Sequence, residues 1–264
     1  MKRVKDVIKQ MEDFSPSNLK EDFDNVGLMV GNKEAEVKKI LLALDCTLEV
    51  IEEAKENNVD LIITHHPLIF KKPSSITTDT LLGKKIIELI KNNINLYSSH
   101  TNLDSAEKGL NETIVKILGF EKGELLEVNK NSRDNKSEGL GRLVTLDKDM
   151  GIEELIKSIK EKLNIKSVKA VIGKEKIKKI AIINGSGSSF FNLAYNKGAD
   201  CIITGDTTYH YASDYKEMGV SIIDIGHFDS EWIVFQEVMK EIQENFSEVE
   251  VLVSKKSKDP YTFL

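Results

Sequence analysis

Short unbroken apolar runs, each followed by a stretch of helical periodicity, recur along the chain and define the expected elements. Runs at 39–45, 60–64 and 94–98 read as strands, and the stretches 48–58, 79–92 and 107–118 read as helices. Thr47 is placed as a helix N-cap and Gly119 as a helix stop. A second series puts strands at 178–183, 200–204 and 220–225 and a long amphipathic helix at 230–245. Continuous apolar strands suit a parallel sheet covered on both faces, and their alternation with helices predicts α/β layers. Between the series, the polar tract 129–138 reads as an exposed loop or hairpin connection. A strand at 140–146, a helix at 152–163 and a strand at 168–172 then form a small α+β elaboration. The alternating run 248–253 is expected as a late strand that returns to the first lobe.

The two series are copies of one another. Lys38-Lys39-Ile40-Leu41-Leu42-Ala43-Leu44 returns as Lys178-Lys179-Ile180-Ala181-Ile182-Ile183, and Asp60-Leu61-Ile62-Ile63-Thr64 returns at the same offset as Asp200-Cys201-Ile202-Ile203-Thr204. Ala54 matches Ala194 between them, and His100-x-x-x-Asp104 is matched by His227-x-x-x-Glu231 at a shorter offset. The expected architecture is therefore α/β, as two related three-layer α/β lobes produced by internal duplication. The first spans 1–120, with 226–264 returning to it, and the second spans 121–225.

Composition narrows the partners. A net charge of -6 and a pI near 5.6 argue against a nucleic-acid backbone binder, which needs a basic face. No apolar run approaches membrane-spanning length, and Met1-Lys2-Arg3-Val4 leads into an amphipathic helix pattern rather than a signal peptide, so a cytoplasmic location without membrane contact is expected. Cys46 and Cys201 lie in or beside apolar runs and read as buried free thiols.

The histidines carry the chemistry. All five fall in Thr64-His65-His66-Pro67, in Ser99-His100-Thr101-Asn102-Leu103-Asp104 and in the run from Tyr209-His210 to Gly226-His227-Phe228-Asp229-Ser230-Glu231. Most follow an apolar strand and pair imidazole with carboxylate, a donor set for divalent metals. Ligands gather beyond the carboxyl ends of strands in open parallel sheets, where His65, His66, His100, Asp104, His227 and Glu231 are expected. Adjacent histidines on a regular strand face opposite ways, so joint ligation by His65 and His66 needs an irregular strand end, which Pro67 favours. These donors suffice for two divalent ions. His210 is as well explained by packing as by ligation, Asp24 and Asn25 build a turn, and Asp229 starts a helix. Gly185-Ser186-Gly187-Ser188-Ser189 offers amides and hydroxyls to an anion but lacks P-loop or dinucleotide spacing.

Several segments together resemble the NIF-three-like family, whose members bear the name GTP cyclohydrolase 1 type 2 homolog. They are Asp24-Asn25-Val26-Gly27-Leu28-Met29-Val30-Gly31, Leu42-Ala43-Leu44-Asp45, Ile63-Thr64-His65-His66-Pro67, Ser99-His100-Thr101-Asn102-Leu103-Asp104, Asn184-Gly185-Ser186-Gly187-Ser188, Ile203-Thr204-Gly205-Asp206 and Gly226-His227-Phe228-Asp229-Ser230-Glu231. The likeness extends to Asp259-Pro260-Tyr261 and departs at Phe23, where the family often has Trp. It implies two α/β lobes with a dinuclear metal centre at their interface, assembled as a toroidal homohexamer. Carried over, the metal ligands are His65, His66, Asp104, His227 and Glu231, and His100 lines the site as the candidate catalytic residue. The cofactors are two divalent ions per chain, drawn from zinc, iron, manganese, cobalt or nickel. The implied reaction is metal-assisted hydrolytic opening of the GTP purine ring with release of formate. The alternatives are a non-enzymatic metal-handling or regulatory protein and a different metal-dependent hydrolase. The stretch 120–178 is too short for the additional middle domain of some family members.

Overall fold

Strands form where the apolar runs lie, as the computed structural model shows for residues 1–264 except 122, 134–136, 245, 247, 263 and 264. In chain order the first elements are α1 (Val4–Phe14), β1 (Gly27–Val30), β2 (Lys39–Ala43), α2 (Leu48–Glu56), β3 (Leu61–Thr64), α3 (Leu81–Lys91), β4 (Asn95–Ser98) and α4 (Thr101–Ser105). There follow α5 (Leu110–Ile117), β5 (Glu124–Val128), β6 (Gly139–Gly151), α6 (Ile152–Leu163), β7 (Lys169–Val171), β8 (Lys176–Ser186), α7 (Phe191–Asn196), β9 (Cys201–Gly205), α8 (Tyr209–Glu217), β10 (Ser221–Asp224), α9 (His227–Gln243) and β11 (Glu250–Val253). Two compact units result, Met1–Ala106 with Phe235–Leu264, and Glu107–Val234. Among the described residues no helix is long and apolar enough to cross a membrane.

The sheet of the first unit has the order β1-β4-β3-β2-β11. β11, β2, β3 and β4 run parallel, and β1 is antiparallel to β4. Leu41, Ala43, Ile62 and Leu96 from the strands bury against Val50, Ile51 and Ala54 of α2 and Ile86 and Leu89 of α3. Thr47 caps α2 as expected, its Oγ1 accepting from the Val50 amide at 3.1 Å.

In the second unit the order is β5-β6-β8-β9-β10-β7, with β8, β9 and β10 parallel and the other three strands antiparallel to their neighbours. The parallel sheets expected from the apolar runs thus form only the centres of two mixed sheets. Short connections such as the one joining β5 to β6 can link only antiparallel strands. Val128 faces Gly139 across that hairpin, which carries the polar tract 129–138, although residues 134–136 lie outside the described residues. Ala181, Ile183, Ile202 and Ile222 pack with Phe191 and Ala194 of α7 and Tyr215 of α8. α9 starts at His227, ahead of the expected Ser230, because the Ser230 hydroxyl donates back to the His227 carbonyl inside the first turn instead of capping it. The expected helix end, Asn245, lies outside the described residues.

The duplication is visible in hydrogen bonds. Asp60 Oδ2 accepts from the amides of Lys38 and Lys39 at 2.8 and 2.9 Å, and Asp200 Oδ2 accepts from those of Lys178 and Lys179 at 2.8 and 2.9 Å. One carboxylate in each unit therefore clamps the start of the preceding strand's pairing edge. Charge-assisted bonds of this kind are worth about 1.5–3 kcal/mol each before compensation by water. Asp60→Ala and Asp200→Ala are each expected to lower unfolding stability by about 1–3 kcal/mol. In urea titration this appears as a lower midpoint with an unchanged slope; equal midpoints would show that water replaces the clamp.

Candidate metal centre

β3 ends at Thr64, and the chain curls there. Thr64 Oγ1 donates to the His66 carbonyl at 2.8 Å, and the His66 amide donates to the Leu44 carbonyl at 3.0 Å. This irregular end brings the two neighbouring imidazoles together, with ring centroids 5.2 Å apart. His100 follows the end of β4, and its ring lies 5.1 Å from that of His65 and 5.6 Å from that of His66. Ligand-capable atoms of His65, His66 and His100 all fall within 4.8 Å of one another. Asp104, on α4, brings Oδ1 to 3.8 Å from His65 Nε2. His65 is fully buried, while the side chains of His66 and His100 keep 21% and 19% exposure, leaving the cluster a solvent-facing side.

In the second unit, His227 opens α9 and Glu231 stands one turn later. His227 Nε2 and Glu231 Oε2 are 3.0 Å apart. Glu231 rests over Gly185, where a Cβ would overlap its Oε1, and Gly185 itself has φ +57°. The glycine thus serves two needs, a left-handed turn at the end of β8 and room for a carboxylate.

The Nδ1 atom of each imidazole in these sets has an acceptor. His65 Nδ1 donates to the Ser99 carbonyl at 2.9 Å, His66 Nδ1 to Asp45 at 2.9 Å, His100 Nδ1 to Asp24 at 2.9 Å and His227 Nδ1 to Asp206 at 2.6 Å. Because carbonyl and carboxylate oxygens only accept, these partners put the proton on Nδ1 and direct the Nε2 lone pair of a neutral ring outward. That is the arrangement in which histidine binds a metal, with the outer acceptor fixing ring orientation. Asp206 holds its position with φ +56°, an uncommon conformation that Asp tolerates better than most residues.

Asp24, expected as a turn former, lies in the first unit's cluster. It is 6% exposed and accepts from His100 Nδ1, from the Thr101 amide at 3.1 Å and from the Thr101 hydroxyl at 2.5 Å. Burial alone would raise its pKa, but the hydrogen bond from His100, the attraction of that ring when protonated, and the two bonds from Thr101 outweigh it and hold the group at about 2. Asp45 and Asp206 were not singled out by composition or periodicity. Asp45 stands two residues past β2 and Asp206 directly follows β9, and each precedes its histidine by 21 residues, with that histidine beyond the next strand. His210 is exposed on α8, its ring 5.6 Å from that of Tyr209.

A family model described as Duf34/NIF3 (NGG1p interacting factor 3) matches residues 2–260. The chain belongs to the Duf34/NIF3 family. It is similar to a Clostridium perfringens protein named GTP cyclohydrolase 1 type 2 homolog, with 58% identity over 99% of this chain and 100% of that protein. Among solved structures, a Staphylococcus aureus hypothetical protein matches with TM-score 0.88 and 34% identity over 99% of both chains. A Bacillus cereus protein related to NIF3 matches with TM-score 0.90 and 27% identity over 100% of both chains. The mixed α/β fold of this Duf34/NIF3 member is thus shared along its length.

Removing the Asp24 charge tests how strongly the carboxylate holds the His100 segment. A folded pKa below the unfolded value means stability that is present above the unfolded pKa, 3.8, and is lost as pH falls through about 2. Asp24→Asn should therefore cost about 2 kcal/mol at neutral pH, and the gap from wild type should close in acid. Chemical denaturation at pH 7 and at pH 3 checks this; a gap that does not depend on pH would remove the electrostatic account.

Proposed function

We propose that this Duf34/NIF3 protein is a metal-dependent hydrolase of the GTP cyclohydrolase type, opening the purine ring of GTP and releasing formate. In this reading His65, His66 and Asp104 of the first unit and His227 and Glu231 of the second hold two divalent ions. The observation that carries it is the set of Nδ1-anchored imidazoles accompanied by carboxylates. Borderline divalent ions, zinc, iron, manganese, cobalt or nickel, suit such mixed donors. The name GTP cyclohydrolase 1 type 2 homolog, borne by the similar proteins of Clostridium perfringens and Clostridium acetobutylicum, supports this choice of reaction.

Bound ions would act as Lewis acids and make water acidic enough to be a nucleophile near neutral pH. The residues do the rest. Asp45 and Asp206 fix the rings of His66 and His227, so that ligand geometry is set before any ion arrives. His100 has its Nδ1 proton committed to Asp24 and keeps Nε2 for a proton taken from the attacking water and passed to the opening ring. The same reading carries a cytoplasmic, toroidal homohexamer that contacts neither membrane nor nucleic acid.

Elemental analysis of native protein and of the His65→Ala/Glu231→Ala double variant, run beside an assay for formate release from GTP, tests the reading. The expectation is about two ions per chain in native protein and few in the variant, with formate release that follows metal content. Metal without formate would overturn the GTP reaction. His100→Ala should retain metal while losing about 10²–10⁴-fold in rate; full turnover would remove its proton-transfer role.

A further inference from the structure

At the ends of β8 and β9 the second unit buries polar groups that no described residue satisfies. Both amide atoms of Asn184, Ser188 Oγ and Thr207 Oγ1 are shielded from solvent and find no hydrogen-bond partner among the described residues. Asn184 as a whole is 9% exposed. Each of the three lies within two residues of the pairing between Ser186 and Gly205 that closes the β8–β9 ladder. Thr204 ties this region together, its Oγ1 accepting from the Gly187 amide and donating to the Gly185 carbonyl, both at 3.1 Å. Buried polar groups of folded proteins are met by protein, water or ligand, so this concentration at one sheet end requires a reason.

The first unit shows that the fold does not supply that reason. At the offset that equates Lys38 with Lys178, Ala54 with Ala194 and Thr64 with Thr204, the three positions fall on Leu44, Leu48 and Pro67. The strand registers agree with the offset, Ile40 facing Leu61 as Ile180 faces Cys201. Where one copy buries leucine at 2% exposure, the other buries an amide whose donor and acceptor meet no partner among the described residues. Such a group lowers stability, and groups that lower stability are retained where function needs them. Asn184 directly precedes Gly185, the residue on which Glu231 rests.

We propose that Asn184, Ser188 and Thr207 form a recognition subsite beside Glu231 for an uncharged nitrogen heterocycle whose ring carbonyl adjoins a ring N–H, together with its attached sugar. The proposal rests on the hydrolase reading and deepens it by naming the residues that select the substrate. An asparagine amide sets one acceptor beside one donor, the complement of a lactam edge. Hydroxyls both donate and accept, as sugar hydroxyls do, and no cationic side chain reaches the three groups with a hydrogen bond among the described residues. The subsite therefore reads shape and hydrogen-bond pattern rather than charge.

Guanosine titrated calorimetrically into full-length wild type, Asn184→Leu, Ser188→Ala and Thr207→Val tests this, with melting temperature and metal content measured on every sample. The leucine installs the residue of the sister copy, and the other two substitutions remove one hydroxyl with little change in volume. The expected result is at least tenfold weaker guanosine binding in Asn184→Leu, with weaker binding in the two hydroxyl variants, while metal content is kept and melting temperature holds or rises. Binding equal to wild type in all three variants would overturn the subsite and leave the hydrolase reading standing. No guanosine binding by metal-loaded wild type would also overturn it. Binding that the variants lose, in a protein that releases no formate from GTP, would support the subsite and reject the reaction. Should Asn184→Leu fail to fold, the two hydroxyl variants decide by the same criterion.

Discussion

The candidate site depends on one constraint, that an imidazole offers a lone pair at Nε2 in a fixed direction only when something else holds its Nδ1 proton. The chain meets that constraint with backbone in one case and carboxylate in three. His65, the fully buried ring, uses the Ser99 carbonyl, while the partly exposed rings of His66, His100 and His227 use Asp45, Asp24 and Asp206. The choice follows from burial. A carboxylate carried into a dry site without full compensation is costly, whereas a carbonyl at the end of an adjacent strand already belongs to the sheet. Asp24, buried as it is, is compensated by three donors from His100 and Thr101.

Strand ends supply these acceptors because the sheet centres are parallel. In a parallel arrangement neighbouring strands finish at the same edge, so residues just past one strand meet residues just past the next. Asp45 follows β2 and meets His66, which follows β3; Asp206 follows β9 and meets His227, which follows β10. The same kind of adjacency occurs in both copies but at different steps, between β2 and β3 in the first and between β9 and β10, the counterparts of β3 and β4, in the second. The repeated Asp60 and Asp200 clamps preserve the scaffold, while the strand ends diverged into an imidazole cluster in one copy and a glycine- and hydroxyl-rich edge in the other.

Much of this was legible in the sequence, for reasons that also explain what was not. The central strands and α6 announce themselves by period, and the curl at His65-His66 follows from Pro67 and from the need to bring adjacent rings to one side. β1 and β5 leave no periodic signal because a short strand beside a turn carries few periodic positions, and β6 runs past the expected 140–146 because its register shifts between Thr145 and Met150 before it pairs again with Ile177. α4 was hidden by its length, a single short turn of helix that turns Asp104 toward His65.

Asp24 shows where local reading stops. Phe23-Asp24-Asn25-Val26-Gly27 has the composition of a turn, and the Asn25 amide does bond to the Asp24 carboxylate at 2.7 Å, so the local inference describes a real contact. Its larger role is set by His100 and Thr101, 76 and 77 residues away in sequence. No pattern within a window of helical or strand length can contain that pairing. Asp45 and Asp206 differ, because their 21-residue spacing to histidine spans a single strand–helix–strand step, a distance over which topology is predictable. A carboxylate just past one parallel strand and a histidine just past the next is therefore a readable signal for an oriented metal-binding imidazole, whereas a partner contributed from outside that step is found only once the chain has folded.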